Sequence, residues 1–329
     1  MKVAKIEDVA KKTGYSITTI SRAINNHPYV SEKAKAKIFK AMRELNYYPN
    51  NIAQQFRGQG TKMIGVVISF ITNPFFSYLV DAIEQYLSSK GYQVVILQTL
   101  ESSEKELQYI EMLQKKQLDG LIMANLENDN DEVKQLISEG KIVLCNRYLG
   151  SEELPVIHID EESAAYDATE YLIKKGYTQI AFCTGGIRNK NDHRFIGFSN
   201  ALNDAGLTFN DALFFSGMRT IEDGNLWIND RVKENKLLPD AVFANGDEVA
   251  AGMLKGAQLN QLKVPRDLAI MGFDDQPIAA LLSPTLTTIH QPIKLMGEYT
   301  AQVLLANING DQAPESPIFK AELVIRETT

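Results

Sequence analysis

Two groups of residues in this sequence have types and spacing suited to chemistry. The first is the run Ser16-Ile17-Thr18-Thr19-Ile20-Ser21-Arg22-Ala23-Ile24-Asn25. If it is helical from a Ser16 cap, Ile20, Ala23 and Ile24 turn inward, leaving Ile17, Thr18, Thr19, Ser21, Arg22 and Asn25 on or near the outward faces. An arginine there can donate twice to a guanine edge, a threonine or isoleucine methyl can touch thymine, and Ser, Thr and Asn can hold phosphate. The second group is five polar loop starts, each following an apolar run: ITNPFF after MIGVVISF, NR after KIVLC, GGIRNKNDHR after AFCT, NGDE after AVFA and DD after AIMGF. Amides, carboxylates and guanidinium groups beside aromatic rings suit a polyhydroxylated ligand, because paired polar groups satisfy adjacent hydroxyls and a ring covers an apolar sugar face. Taken singly, each also reads as structure, Asn73 as a turn former before Pro74 and Asp274 as a helix cap.

Enzymatic constellations are missing. The sequence has no GxxxxGK[ST], GxSxG, HExxH or strand-to-helix GxGxxG, and His27, His158, His193 and His290 are scattered. Gly185-Gly186 reads as a turn. No catalysis, metal or cofactor is expected.

The elements that must position the first group lie in the first fifty residues. Ile6, Val9 and Ala10 fall on one helical stripe, Gly14 supplies a tight turn, and Ser16 opens the second helix. A third helix begins near Ser31, with Ala34, Ile38, Ala41, Met42 and Leu45 at helical spacing and Pro49 at its far boundary. Three such helices form a helix-turn-helix head or, alternatively, a small helical packing domain. Charge favours the head: residues 1–60 hold 11 of the 34 Lys and Arg but 4 of the 41 Asp and Glu, in a chain whose formal net charge is -7. A basic head on an acidic body suits a nucleic-acid-binding appendage, since cations displace condensed phosphate counterions; a solvated basic surface is the bland alternative. Asn50 to Arg57 is helix-compatible yet shorter than the roughly 12 to 15 residues an isolated helix needs, so it should form only when something orders it.

The second group requires repeated βα units. From Thr61 apolar runs alternate with helical patterns, near 75–90 and 103–117, then near 161–175, 190–205 and 247–259, which reads as two α/β lobes with parallel sheets. Ligands of such sheets lie beyond the carboxyl ends of the strands, where the five loops fall. A chain of 329 residues with 44% hydrophobic content can bury two or three cores. Cys145 and Cys183 sit far apart in apolar runs and are expected as buried thiols. No run reaches membrane-spanning length and the N-terminus is too charged for a secretory signal, so a cytoplasmic protein without membrane contact is expected.

IEDVAKKTGYSITTISRAIN, VSEKAKAKIFKAMRELNYYPN and AQQF together resemble the DNA-binding head and hinge of the LacI/GalR family of bacterial transcriptional repressors, and the likeness covers essentially the whole chain. The resemblance implies an α-helical helix-turn-helix DNA-binding head (1–48), a hinge helix and linker (49–60) and an α/β two-lobed periplasmic-binding-protein-like effector and dimerisation domain (61–329). Its first lobe would take about 61–160 and 291–320, its second about 161–290 with the C-terminal strand. It puts Ile17, Thr18 and Arg22 in the major groove and Ser16, Thr19, Ser21, Asn25, Ser31 and Asn50 on phosphates. The hinge residues Ala53, Gln54 and Phe56 would enter the minor groove, Phe56 standing where the family wedges a leucine, or serve hinge packing.

In the body, the resemblance puts Asn73, Phe75, Phe76, Asn146, Arg147, Arg194, Asp274 and Gln291 on the effector. Two places depart from the family. NGDEVAAG leaves Gly246 where an amide is expected, with Asn245 one position early, and Arg219 or Met218 stands where an aromatic residue often caps the sugar. With Arg188 and Lys190 nearby, the mouth is expected to be positive and to suit a sugar phosphate, unless these groups are only solvated. The implied partners are a small sugar or sugar-phosphate effector, pseudopalindromic double-stranded operator DNA and a second copy in a homodimer, the ending RETT carrying no heptad segment for a tetramer. Alternatives are a regulator answering to a phosphorylated carrier protein and a cytosolic sugar-binding protein.

Overall fold

The computed structural model describes residues 4–25, 27–48, 60–128, 130–148, 150, 154–189 and 191–329. The chain divides between Thr61 and Lys62 into two compact units.

Among its described residues the smaller unit holds three helices, α1 (Ile6–Thr13), α2 (Ile17–Ile24) and α3 (Glu32–Glu44). Local signals set their ends. Gly14 takes the left-handed conformation at φ 74° and donates its N–H to the Ala10 carbonyl, which stops α1. Ser16 and Ser31 each cap the following helix, accepting from Thr19 N at 3.2 Å and Ala34 N at 3.3 Å. One apolar face per helix then closes a single core of Val9, Ile20, Ala23, Val30, Ala34, Ile38, Ala41 and Met42.

The larger unit contains two parallel sheets. One has the order β2-β1-β3-β4-β5, built from β1 (Met63–Ile68), β2 (Gln93–Gln98), β3 (Gly120–Asn125), β4 (Ile142–Arg147) and β5 (Val156–Ile157). The other has the order β7-β6-β8-β9, from β6 (Ile180–Cys183), β7 (Phe214–Phe215), β8 (Ala241–Phe243) and β9 (Ala269–Met271). A short antiparallel pair, β10 (Thr288–His290) with β11 (Glu322–Val324), sets Ile289 opposite Leu323. The central strands read as continuous apolar runs because helices cover both faces. These helices are α4 (Pro74–Ser89), α5 (Ser103–Gln114), α6 (Asp131–Ser138), α7 (Glu161–Lys174), α8 (His193–Asp204), α9 (Ile221–Lys233), α10 (Asp247–Leu259), α11 (Pro277–Leu281) and α12 (Ile293–Asn309). Helix α12 packs on α4, β3 and β4, so a late segment completes the first sheet's cover. Cys145 and Cys183 are buried, and burial pushes the Cys145 thiol up to about 12.

Two helix pairs are in backbone contact through glycine. A Cβ at Gly252 of α10 would lie 1.8 Å from the Ile221 carbonyl oxygen of α9, and one at Gly197 of α8 would lie 2.0 Å from that of Glu162 in α7. The obstacle is backbone in both cases, so the helices must separate to admit a methyl. Gly252→Ala is expected to cost about 1 to 3 kcal/mol or more, read as a lower urea midpoint with unchanged m-value; an unchanged midpoint would contradict the close packing.

Candidate ligand cleft and DNA-reading helix

On the head, α2 presents its outward residues as its amphipathic pattern predicts. Ser16, Ile17, Thr18, Arg22, Asn25 and Ser31 are exposed, Ile17 by 46%, whereas Thr19 and Ser21 are half-buried. Ser16 Oγ and Thr19 Oγ1 lie 2.9 Å apart, and Asn25 Nδ2 donates to the Ser21 carbonyl at 2.7 Å. An isoleucine held in water beside a threonine and an arginine offers methyl contacts and a two-donor fork from one surface. Asn50, Ala53, Gln54 and Phe56 lie outside the described residues.

In the body, loops following β1, β4, β6, β8 and β9 converge on one cavity of about 460 Å³. Its wall includes Asn73, Phe75, Phe76, Asn146, Arg147, Arg194, Arg219, Asn245 and Asp274. Asn73 fills both of its anticipated roles, since it caps α4 by accepting from Phe75 N at 3.0 Å while lining the cavity. Asn146, next to last in β4, and Asp274, just beyond β9, hold φ of 83° and 101°, a left-handed strain that turns the chain at the strand ends. Asn146 Nδ2 donates to Asn125 Oδ1 at 3.2 Å, and Asn125 Nδ2 donates to Ser69 Oγ at 2.5 Å, which fixes the amide orientations along the first sheet's edge.

Behind this wall stands a buried ionic group. Glu161, 5% exposed at the start of α7, accepts from Arg194 Nε at 2.6 Å and lies 3.4 Å from Arg147 Nε, and Arg147 Nη2 donates to Asp192 Oδ1 at 2.6 Å. Burial alone would raise the Glu161 carboxyl, but Arg194 and Arg147 reverse this and hold it below the usual carboxylate range. Arg194 also donates to the Asn245 carbonyl at 3.2 Å and stacks 3.5 Å from the centre of the Phe273 ring. Because Arg147 ends a strand of the first sheet while Glu161 and Arg194 lie in helices of the second and Asp192 caps one of them, the group ties the cleft's two sides together.

Three expectations need correction. Gln291 is not in the cavity wall: it is buried behind Asp274 and donates to Asp274 Oδ1 at 2.5 Å, so it orients that carboxylate. Met218 is buried in the second lobe's core, leaving Arg219 alone at the capping position. The mouth also lacks the anticipated surplus of positive charge. Arg188 lies outside the wall, paired with Asp211 at 2.7 Å and set 4.9 and 5.0 Å from the ring centres of Phe195 and Phe214, and Arg219 donates to Glu101 at 2.5 Å. Lys190 lies outside the described residues. Sequence reasoning missed Ser69, Phe70, Glu101, Asn125 and Glu222 in the wall and Glu161 behind it, and named the loops NGDE and GGIRNKNDHR without singling out their Glu248 and Asp192. The proximity of Ser69 and Phe70 to the end of β1 was a usable signal; the ionic pairings had none.

Comparison with known proteins follows the same division. The description "Bacterial regulatory proteins, lacI family" matches residues 5–50, and "Periplasmic binding protein-like domain" matches residues 169–329. The NTD biosynthesis operon regulator NtdR of Bacillus subtilis (strain 168) is 37% identical over 327 residues, spanning 98% of this chain and 99% of the relative. The chain belongs to the LacI family. Like other LacI-family transcription regulators it joins a DNA-binding domain to a ligand-binding domain and is not an enzyme. The lac repressor dimer bound to operator and the anti-inducer ONPF superimposes with a TM-score of 0.81 at 26% identity, covering 99% of both chains. A LacI-family regulator from Lactobacillus casei with bound sucrose gives a TM-score of 0.73 at 31% identity, over 81% of this chain and 99% of that one. Among the described residues, no helix of the LacI-family chain is long and apolar enough to cross a membrane, and no group of His, Cys, Asp and Glu could hold a metal ion.

Proposed function

We propose that this LacI-family regulator binds a pseudopalindromic operator as a homodimer in the cytoplasm and changes its operator affinity when a small polyhydroxylated ligand enters the cleft. The observation that carries this reading is the convergence of five strand-end loops from two sheets on one cavity, in a chain whose head exposes a helix with DNA-reading chemistry. Ile17, Thr18 and Arg22 read bases, while Ser16, Thr19, Ser21, Asn25, Ser31 and Asn50 hold phosphates. The resemblance assigns Ala53, Gln54 and Phe56 to the minor groove. Asn73, Asn146, Arg147, Arg194, Asn245 and Asp274 supply hydroxyl contacts, and Phe70, Phe75 and Phe76 supply apolar cover.

A ligand that touches both sheets favours one relative orientation of the lobes, and its differential affinity for that orientation sets the size of the effect on DNA. Coupling of about 1 to 3 kcal/mol, roughly 5-fold to 150-fold in affinity, is typical. The sucrose-bound neighbour and the cellobiose complex of the regulator CelR support a carbohydrate over control by a carrier protein, for which no described feature speaks.

Selecting binding sites from a random DNA pool with the full-length protein tests the head. An inverted repeat is expected, and Arg22→Ala should lose about 1 to 3 kcal/mol at one base pair of each half-site. Enriched sites without two-fold symmetry would refute the dimeric reading, and uniform weakening by Arg22→Ala would reassign this arginine to the phosphate backbone.

A further inference from the structure

The charges of the cleft, counted pair by pair, do not cancel. Its wall carries Arg147, Arg194 and Arg219 against Glu101, Glu222, Glu248 and Asp274. Each guanidinium already has a carboxylate. Arg147 is paired with Asp192 and Glu161, Arg194 with Glu161 and Arg219 with Glu101, and neither Glu161 nor Asp192 faces the cavity. Glu222, Glu248 and Asp274 remain, and none of the three makes an ion pair with a described residue.

From this imbalance we propose that the ligand of the cleft carries a protonated amine, as an amino-substituted sugar or polyol does, with Asp274 and Glu248 as its counter-ions. This deepens the reading of the cleft as a carbohydrate site and rests on it.

Asp274 is 8% exposed and its oxygens are held by neutral amides, Oδ1 by Gln291 at 2.5 Å and Oδ2 by Gln276 at 3.3 Å. The charge of Arg194 favours its ionised form, but burial outweighs this and no direct ion pair is made, so an ammonium group entering the cavity offsets the remaining cost with a charge-assisted hydrogen bond. Glu248 is half-buried in the first turn of α10, where burial raises its carboxyl above the usual carboxylate range, a cost that a nearby ammonium group would relieve.

Gly246 is the second observation. Its backbone is extended, at φ -172° and ψ 174°, so no conformational demand calls for glycine. A Cβ there would lie 3.6 Å from Asp274 Oδ2, and a longer side chain, such as the amide the resemblance leads one to expect, would stand in front of that carboxylate. Glycine removes a hydroxyl-reading amide and uncovers an anion. Both changes suit an ammonium group and penalise a phosphate.

The test is titration calorimetry on the full-length protein at about pH 7, with glucose, its 2-amino, 3-amino and 6-amino derivatives, N-acetylglucosamine and glucose 6-phosphate as probes. At least one free amine should bind about tenfold or more tightly than both glucose and the acetylated analogue, a difference of about 1.4 kcal/mol. Glu248→Gln should reduce that preference to about threefold or less. Asp274→Asn gives a second reading of the same loss. Equal or tighter binding of glucose or its phosphate overturns the amine inference and leaves the carbohydrate cleft standing. Binding of none of the six overturns the carbohydrate reading and the inference with it. An amine preference that survives both substitutions overturns the assignment of Asp274 and Glu248.

Discussion

A Glu161→Gln variant is expected to unfold roughly 10 °C below the parent protein and to lose ligand affinity in the cleft. The substitution keeps the shape of the side chain and removes one charge from a site that is 5% exposed. Arg147 retains Asp192, but Arg194 is left with the Asn245 carbonyl and the Phe273 ring. Breaking a buried pair by removing one partner costs about 3 to 5 kcal/mol, because the surviving charge stays desolvated. For a domain of this size about 1 kcal/mol moves Tm by roughly 2 to 4 °C. The neighbouring Glu162, whose side chain is 44% exposed, is the control, and Glu162→Gln should change Tm little. The pH dependence follows from the direction of the shift. Folded Glu161 is held below its ordinary value, so its contribution is present at neutral pH and lost as pH falls through the folded value. An acid-unfolding profile should therefore be shallower in Glu161→Gln. Equal Tm values for parent and variant would show that the arginines find compensation elsewhere.

Asp247 gives the second large effect, with the opposite sign. It is fully buried beneath the cleft, beside Asp274, and accepts from Gln276 N and Thr288 Oγ1, both at 2.6 Å. Burial first, and then the charge of Asp274, push its carboxyl up to about 8, far above the 3.8 of an exposed aspartate. The folded protein thus keeps a proton that the unfolded chain releases. The favourable contribution is complete below about pH 4 and is lost as pH rises to about 8, at up to about 1.4 kcal/mol per pH unit. An asparagine in its place would copy the protonated form, its oxygen accepting from Gln276 N–H and its NH₂ donating to Thr288 Oγ1. Asp247→Asn should match the parent in stability near pH 4 and gain on it steadily towards pH 8. Urea unfolding at about pH 5, 6.5 and 8 measures the divergence; parallel profiles would mean that Asp247 is ionised in the folded state.

Both effects depend on residues that the sequence alone does not single out, and the reason is physical. The ends of α1, α2 and α3 are legible because Gly14, Ser16 and Ser31 act on backbone groups within four residues. Strand ends are legible because apolar runs stop abruptly at Asn146 or Asp274, and these residues do line the cavity. Ion pairing is a property of the assembled fold. Glu101 meets Arg219 across 118 positions and Glu161 meets Arg194 across 33, and in sequence each looks like one more solvated charge. That gap led the mouth to be read as positive, since Arg188 and Arg219 stand out as residue types whereas their carboxylate partners do not. Gln291 was misplaced by one layer for a related reason: a motif locates a residue along the chain but does not say whether it touches the ligand or the group that does.

The packing of α12 on β3, β4 and α4 has a consequence for synthesis. Leu304 of α12 lies over Gly120, where an added Cβ would be 2.9 Å from its side chain, so the helix seats directly on the strand. Strand β3 ends at Asn125 and α12 at Asn309, a gap of about 180 residues. At about 5 to 20 residues per second, the nascent chain carries an uncovered apolar sheet face for roughly 10 to 40 s before its cover emerges. During that interval the uncovered face is open to aggregation, and a chain that ends before α12 leaves its first sheet without that cover.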